Sequence, residues 1–243
     1  MLEYYRKKIR ISIEKVLGRR LLPLDMLPKG VDLYYDLKND VDTEHFRSVF
    51  DVGSNKGQSV SQYLNWFPNA NVYGFEPSGG AFHELRSNFS TNNRVEVINV
   101  ALGSKVGSKE LLVGNDSKRG GFHLDKTGDG VVERKNVRVE KLDNFCKSNN
   151  IKEINFLKVD TEGHDMDVLK GAHDMLDGHC IDFVQSEVTT DYENDLHCSV
   201  CSMIEYMRGH KYKIYGFYNQ VNDWRGQSPC LRRVDAVFMR STL

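Results

Sequence analysis

From residue 46 onward, short apolar runs alternate with segments whose apolar residues recur every three or four positions. Val49–Val52, Val72–Phe75, Val95–Val100, Ile154–Val159, Ile181–Val184, Tyr212–Tyr215 and Ala236–Met239 read as strands. Val60, Tyr63, Leu64 and Phe67 mark a helix that Pro68 ends; Phe82, Leu85 and Phe89 mark the next. Val168, Leu169, Ala172, Met175 and Leu176 mark another. A helix over 198–209 closes at Gly209, and Val200, Cys201, Ile204 and Met207 are predicted to face inward. Strand and helix in turn, with short links, predict an α/β fold: a mostly parallel sheet with helices on both faces. The rhythm lapses between about 104 and 140. There GSKELLVG (107–114) and NVRVEKL (136–142) predict antiparallel additions. The Gly-, Asp- and Lys-rich stretch between them reads either as a loop near a site or as a solvated connection.

The first 45 residues differ. Residues 1–30 hold eight Lys or Arg against three Asp or Glu. Ile9, Ile13, Val16 and Leu17 recur at helical spacing among Arg6, Lys7, Arg10 and Lys15, until Pro23 and Pro28 break the pattern. This divides the chain into a basic N-terminal helix with its linker, 1–45, and one α/β domain, 46–243. The short apolar stripe favours a helix packed on the domain; a helix on a membrane surface or an acidic partner is the other reading.

The 243 residues carry a net charge of −1, with 40% hydrophobic and 28% charged residues. That balance suits an ordinary globular protein and lacks the basic field expected of a nucleic-acid partner. No apolar run approaches the roughly 20 residues of a transmembrane helix, and the first residues are too charged for a secretion signal. A cytoplasmic setting is therefore expected. Five scattered cysteines do not form a disulfide pattern. Cys198 and Cys201, beside His197, form a CxxC whose nearest further ligand is His210; a packed helix explains the pair as well.

The chemistry gathers at strand exits. VFDVGSNKGQS (49–59) leaves a strand and enters a helix, with Gly53 and Gly57 able to turn tightly against a ligand. It is not the GxGxxG of a dinucleotide site, and Asp51 would repel a diphosphate. Glu76 ends the second strand, nineteen residues after Gly57, where an acid accepts hydrogen bonds from ribose hydroxyls. A ribose-bearing cofactor with a positive group fits both motifs, and S-adenosylmethionine is one. FLKVDTEGHDMDVLKGA (156–172) places Asp160, Glu162 and His164 at the same edge, and VQSEV adds Glu187. Asp160 and Glu162, two apart, are expected to share a face and titrate together. These four could surround a substrate hydroxyl as bases, or Asp160 and Glu187 could hold a divalent cation. Asp165 and Asp167 read as helix-start acids. Tyr218, Trp224 and Arg225 read either as sugar contacts or as cover for the sheet edge.

VFDVGSNKGQS, YGFEPS (73–78), INVALGSKVGSKEL (98–111), FLKVDTEGHDMDVLKGA and IDFVQSEV (181–188) together resemble the FkbM-type S-adenosylmethionine-dependent methyltransferases. The resemblance implies a Rossmann-like class I sheet of seven strands whose last runs antiparallel. It implies that Asp51, Gly53, Asn55 and Gly57 meet the methionine part of the cofactor, that Glu76 holds the ribose, and that Val100 and Ala101 lie by the adenine. Ser54, Gln58, Ser59 and Pro77 complete that expected set. Ser54 stands where Ala is usual, and SGGAFHEL follows Glu76-Pro77 where a more helix-prone start is usual. The implied activity is O-methylation of a small-molecule or glycan acceptor. Protein or amine methylation, a nicotinamide-dependent oxidoreductase and a silent cofactor- or glycan-binding module are the rival readings.

Overall fold

In the computed structural model, β1 (Ser48–Val52) is buried along its whole length and is an inner strand of a seven-stranded sheet. The structure describes residues 9, 12–13, 16, 27–114, 131–191, 194, 197–222 and 229–243. β2 (Asn71–Phe75) and β3 (Val95–Ile98) lie to one side of β1. β7 (Ile154–Val159) and β8 (Ile181–Thr189) lie to the other. All four pair in parallel. β9 (Tyr212–Asn222) forms the edge, and β10 (Leu231–Arg240) slots antiparallel between β8 and β9. This is the implied class I topology, with the last strand reversed. The order reverses between β1 and β7, because the chain runs out to β3 before returning. Ligands bind at such a switch point, beyond the strands' carboxyl ends.

Alternation along the strands gives each face its own core. Phe50, Phe75, Leu157 and Val184 point to one side, where they pack with α4 (Leu142–Ser148), α5 (Asp165–Lys170), α6 (His173–Asp177) and α7 (Val200–Gly209). Val49, Phe156, Phe183 and Val237 point to the other, with α1 (Leu33–Asp40), α2 (Gln58–Trp66) and Leu85 of α3 (Gly79–Asn88). Each fully buried large side chain contributes about 1.5–3 kcal/mol of burial.

β4 (Ala101–Leu102), β5 (Gly107–Gly114) and β6 (Val131–Glu140) form a separate three-stranded sheet, not an extension of the main one. The expected strand over 95–100 stops at Ile98, and Ala101–Leu102 turns to pair with β6. Residues 115–130 lie outside the described residues.

The chain before residue 46 also departs from expectation. α1 shares the core through Leu33 and Leu37. Asp36 accepts from the Tyr218 hydroxyl at 2.8 Å, and Asp40 from the Tyr215 hydroxyl at 2.9 Å. This stretch therefore belongs to the body expected to begin at residue 46. Further upstream, Ile9, Ile13 and Val16 are helical but 60%, 41% and 86% exposed. These three positions of the apolar stripe do not pack on the domain as expected.

α7 keeps most of its predicted face, with Val200 and Ile204 packed against the core. Met203 and Met207 are buried, and Cys201 is exposed. Cys146 is buried, and burial pushes its thiol up to about 12. A maleimide added to the native protein should modify Cys201 within minutes and leave Cys146 untouched until denaturant is added. Peptide mass spectrometry reads both.

Candidate active site

The face that packs on α1 and α2 changes character at the strand ends. Two residues beyond Val49 comes Asp51; two beyond Phe156, Lys158; two beyond Phe183, Gln185. Asp51 is opposite Lys158 in register, and Lys158 is opposite Gln185. On the far strand, Asp235 lies two residues before Val237 and opposite Glu187. A polar row thus crosses the sheet on this face, while Val52, Phe75 and Val159 keep the other face apolar to its rim. Two clefts result.

The apolar cleft holds about 620 Å³ of empty space, part of it open to solvent. Its walls include Val52, Gly53, Phe75, Pro77, Val100 and Ala101, with β5 and β6 closing one side through Leu111 and Val139. The loop after β1 is held by backbone: Gly53 and Ser54 N–H both donate to the Phe75 carbonyl, at 3.0 and 3.1 Å. The Ser54 hydroxyl donates to the Asp51 carbonyl at 2.7 Å. Asn55 and Gly57 have left-handed φ values of 47° and 94°. Gly57 caps α2 against Phe89 and Leu85, and Gln58 and Ser59 open that helix.

Glu76 is fully buried. It accepts from Asn55 N–H at 2.9 Å and Ser78 N–H at 2.8 Å, tying the loops after β1 and β2 together. Burial raises its carboxyl to about 7, against the opposing pull of those two N–H groups. Asp51 is also fully buried, and its Oδ2 has no hydrogen-bond partner among the described residues. Burial raises this carboxyl, and the Lys158 ammonium 3.4 Å from Oδ1 opposes the rise. Burial would lower Lys158, but Asp51 and Asp160 outweigh it and hold the ammonium well above its ordinary value.

The polar cleft, about 1120 Å³, is lined by Gln62, Trp66, Lys158, Asp160, Gln185, Glu187, Arg233 and Asp235 among others, with Ser59, Asp32 and Leu33 at its wall. Asp160 and Glu162 do not form the expected pair. β7 ends at Val159, and Glu162 and Gly163 take left-handed φ values of 51° and 104°, so strand alternation stops between them. Asp160 bonds Lys158 at 3.1 Å. Glu162 faces His197, with 3.6 Å between Oε2 and Nε2. Glu187 divides its oxygens, Oε1 to Arg233 and Oε2 to His197 Nε2 at 2.7 Å. Asp160 and Glu187, the expected metal pair, are thus engaged by different protein cations. Burial would lower His197, but Glu162 and Glu187 raise it to about 9.

His164 lines the apolar cleft rather than the polar one, 3.9 Å from Asp167. Burial, then Lys109, lowers its pKa. Asp165 is a buried lock, accepting from Thr161 N–H at 2.8 Å, Thr161 Oγ1 at 2.6 Å and Ser186 Oγ at 2.8 Å. Tyr218 is spent on Asp36 and is not a ligand contact; Trp224 and Arg225 lie outside the described residues. Lys158, His197 and Arg233 do not stand out in the sequence pattern considered above. A lysine inside an apolar strand signals a buried counter-ion, so Lys158 could have been found; His197 and Arg233 needed the fold.

A family model described as "Methyltransferase FkbM domain" matches residues 51–214. The 2-O-methyltransferase NoeI of Sinorhizobium fredii is 24% identical over 144 residues, covering 53% of this chain and 58% of that protein. Methyltransferase 1 of Beauveria bassiana is 28% identical over 148 residues, covering 52% and 58%. The match thus spans a little over half the length of each curated relative. The crystal structure of a methyltransferase FkbM from Methylobacillus flagellatus aligns with a TM-score of 0.55 at 14% identity, over 89% of this chain and 50% of that one.

Proposed function

The chain belongs to the methyltransferase FkbM domain family, and from that premise we propose that it transfers a methyl group from S-adenosylmethionine to a hydroxyl oxygen of a sugar or similarly polyhydroxylated small molecule. The observation that carries this reading is a pair of unlike clefts at the carboxyl end of the sheet, one apolar beside Gly53 and Thr161 and one rich in hydrogen-bonding groups beside Lys158 and Asp160. The name of NoeI, a 2-O-methyltransferase, supports oxygen as the acceptor atom.

The residues present fit this cofactor. The unpartnered Oδ2 of Asp51 suits an ammonium donor, and Phe75, Val100 and Ala101 offer flat apolar walls for a nucleobase. Each Glu76 oxygen accepts one backbone N–H and keeps a lone pair for a ribose hydroxyl. When bound, S-adenosylmethionine supplies an electrophilic methyl on a sulfonium that departs as a neutral thioether. The protein's task is then alignment and removal of one proton. Asp160, part-exposed in the polar cleft, would accept the proton of the acceptor hydroxyl. Lys158 fixes its carboxylate at 3.1 Å. Gln62, Gln185 and Trp66 provide hydrogen bonds and a stacking face for the acceptor. Glu162 and His197 brace Glu187 at the wall of the polar cleft, and His164 lines the apolar one.

Methyl-labelled S-adenosylmethionine, incubated with the protein and a pool of glycosides and hydroxylated metabolites, should yield label in methyl ethers by mass spectrometry. Label in amines or proteins alone would defeat the oxygen assignment. A pH effect on cofactor affinity also follows. Ribose hydroxyls donate to the ionised Glu76, whose pKa is about 7, so binding strengthens as pH rises through that value. Calorimetric Kd for S-adenosylhomocysteine should weaken about tenfold from pH 8 to pH 6. A flat profile would remove Glu76 from the ribose site.

A further inference from the structure

Glu162, Glu187 and His197 each point one ligand atom into a common space, with those atoms all within 4.8 Å of one another. The His197 side chain is only 6% exposed, yet among the described residues its Nε2 makes no well-formed hydrogen bond, and neither does the buried Oε2 of Glu187. The two atoms face each other at 2.7 Å as an ion pair without a well-aligned hydrogen bond, an arrangement that a cation bound between them would satisfy. We infer that Glu162 Oε2, Glu187 Oε2 and His197 Nε2 form a binding site for a divalent transition cation of the Mn2+ class, next to the polar cleft that Glu187 lines. The inference deepens the proposed methyl transfer and rests on that reading for its purpose, though not for its existence.

Distances and chemistry agree with such an ion. Ligands about 2.1 Å from a common centre stand about 3 Å apart when adjacent and about 4 Å when opposed. His197 Nε2 lies 3.6 Å from Glu162 Oε2, inside that range, and 2.7 Å from Glu187 Oε2, which must open by a few tenths of an ångström. Glu187 need not release Arg233, which holds its other oxygen. The far ring nitrogen of His197 is oriented by Asn194, with side-chain atoms 3.1 and 3.4 Å from Nδ1. Ligating histidines are commonly steadied in this way through the second nitrogen. One imidazole and two carboxylates suit Mn2+ better than a thiolate-seeking ion. Three protein ligands leave positions for water or for an acceptor's oxygens, and Glu187 already lines the polar cleft.

A second cluster, His173, Asp177 and His210, also brings three ligand atoms together. His173 and Asp177 are exposed there, and His210 already bonds Asp177 at 2.5 Å. It serves as the internal control.

The test titrates Mn2+ into the full-length, chelator-treated protein and follows free Mn2+ by electron paramagnetic resonance. One equivalent should bind, and affinity should fall at least tenfold in Glu162→Gln and in His197→Gln while His173→Ala binds as the parent does. Pulsed resonance on the frozen complex should show one imidazole nitrogen coupled to the ion, a signal that a merely misfolded variant cannot mimic in the parent. No saturable binding, unchanged binding in both site variants, loss in His173→Ala, or no nitrogen coupling would each overturn the site. Calorimetry with S-adenosylhomocysteine on the same samples separates the two claims. Product binding without Mn2+ binding sinks only the metal site; Mn2+ binding without product binding keeps the metal site and sinks the donor reading.

Discussion

Gly53→Ala is expected to lower the thermal midpoint by roughly 6–12 °C, a large loss for a single added methyl. A Cβ at this position would lie 1.9 Å from the Asp160 carbonyl oxygen and 2.9 Å from its carbon. Neither atom can swing away, because Asp160 N–H is tied to the Val52 carbonyl at 3.0 Å and Gly53 N–H to the Phe75 carbonyl at 3.0 Å. The backbone at Gly53 also has φ = 87°, a left-handed value that costs an alanine about 1–2 kcal/mol. Overpacking adds about 1–3 kcal/mol. A sum near 3 kcal/mol gives the stated shift for a chain of this size. Gly79→Ala is the matched control: it opens α3, and its Cβ would meet nothing within 4 Å. That change should be neutral or stabilising by up to about 1 kcal/mol. Calorimetric melting of the two proteins decides the matter, and a Gly53→Ala midpoint within a degree of the parent would refute the close approach of β1 and β7.

That close approach is where the sequence is most legible. Gly53 and Gly57 announce tight backbone because few other residues serve there, and the apolar runs locate the strands of the main sheet, although β8 and β9 run five and seven residues past their predicted ends and β10 begins five residues before its predicted start. Legibility fades where one segment has to know about another. Asp160 and Glu162 share a face only if the strand continues, and it ends one residue before the first of them. Glu187 acquires its partners from β10 and from the stretch before α7, neither of which is near it in sequence. Cys201 fits an inward stripe with three apolar neighbours, which do pack on the core, but Cys201 itself is exposed and Met203 takes the buried place. The tyrosines of YGFYNQ read equally as ligand contacts or cover, until Asp36 and Asp40 on α1 claim their hydroxyls. In each case the local pattern is legible and the choice among its meanings belongs to tertiary contacts.

The buried charge row makes the second large prediction, Lys158→Met. Lys158 is 12% exposed and stands between Asp51, which is 0% exposed, and Asp160. Removing one partner of a buried pair leaves an uncompensated charge and costs about 3–5 kcal/mol. The midpoint should therefore fall by roughly 6–20 °C at neutral pH. The sign of the pH dependence follows from Asp51. Its folded pKa is already raised by burial, and loss of the ammonium raises it further. The folded variant then holds a proton that the unfolded chain gives up near pH ~4. Its stability from this group is full below that pH and is lost as pH climbs through the folded value, so the deficit against the parent should widen from acid to neutral solution. Asp51→Asn combined with Lys158→Met removes the stranded charge and should recover at least half of the loss, whereas two independent changes would simply add. Additivity in that cycle would mean the ion row contributes nothing as a unit. Recovery of stability without recovery of S-adenosylhomocysteine binding would give the row its reason for existing. Replacing buried ions by neutral groups is often tolerated by a fold, but the neutral amide of the Asp51→Asn variant cannot offer the ionised Oδ2 that the proposed donor's ammonium requires. Lys158 would then be the group that opposes the upward push of burial on the Asp51 carboxyl.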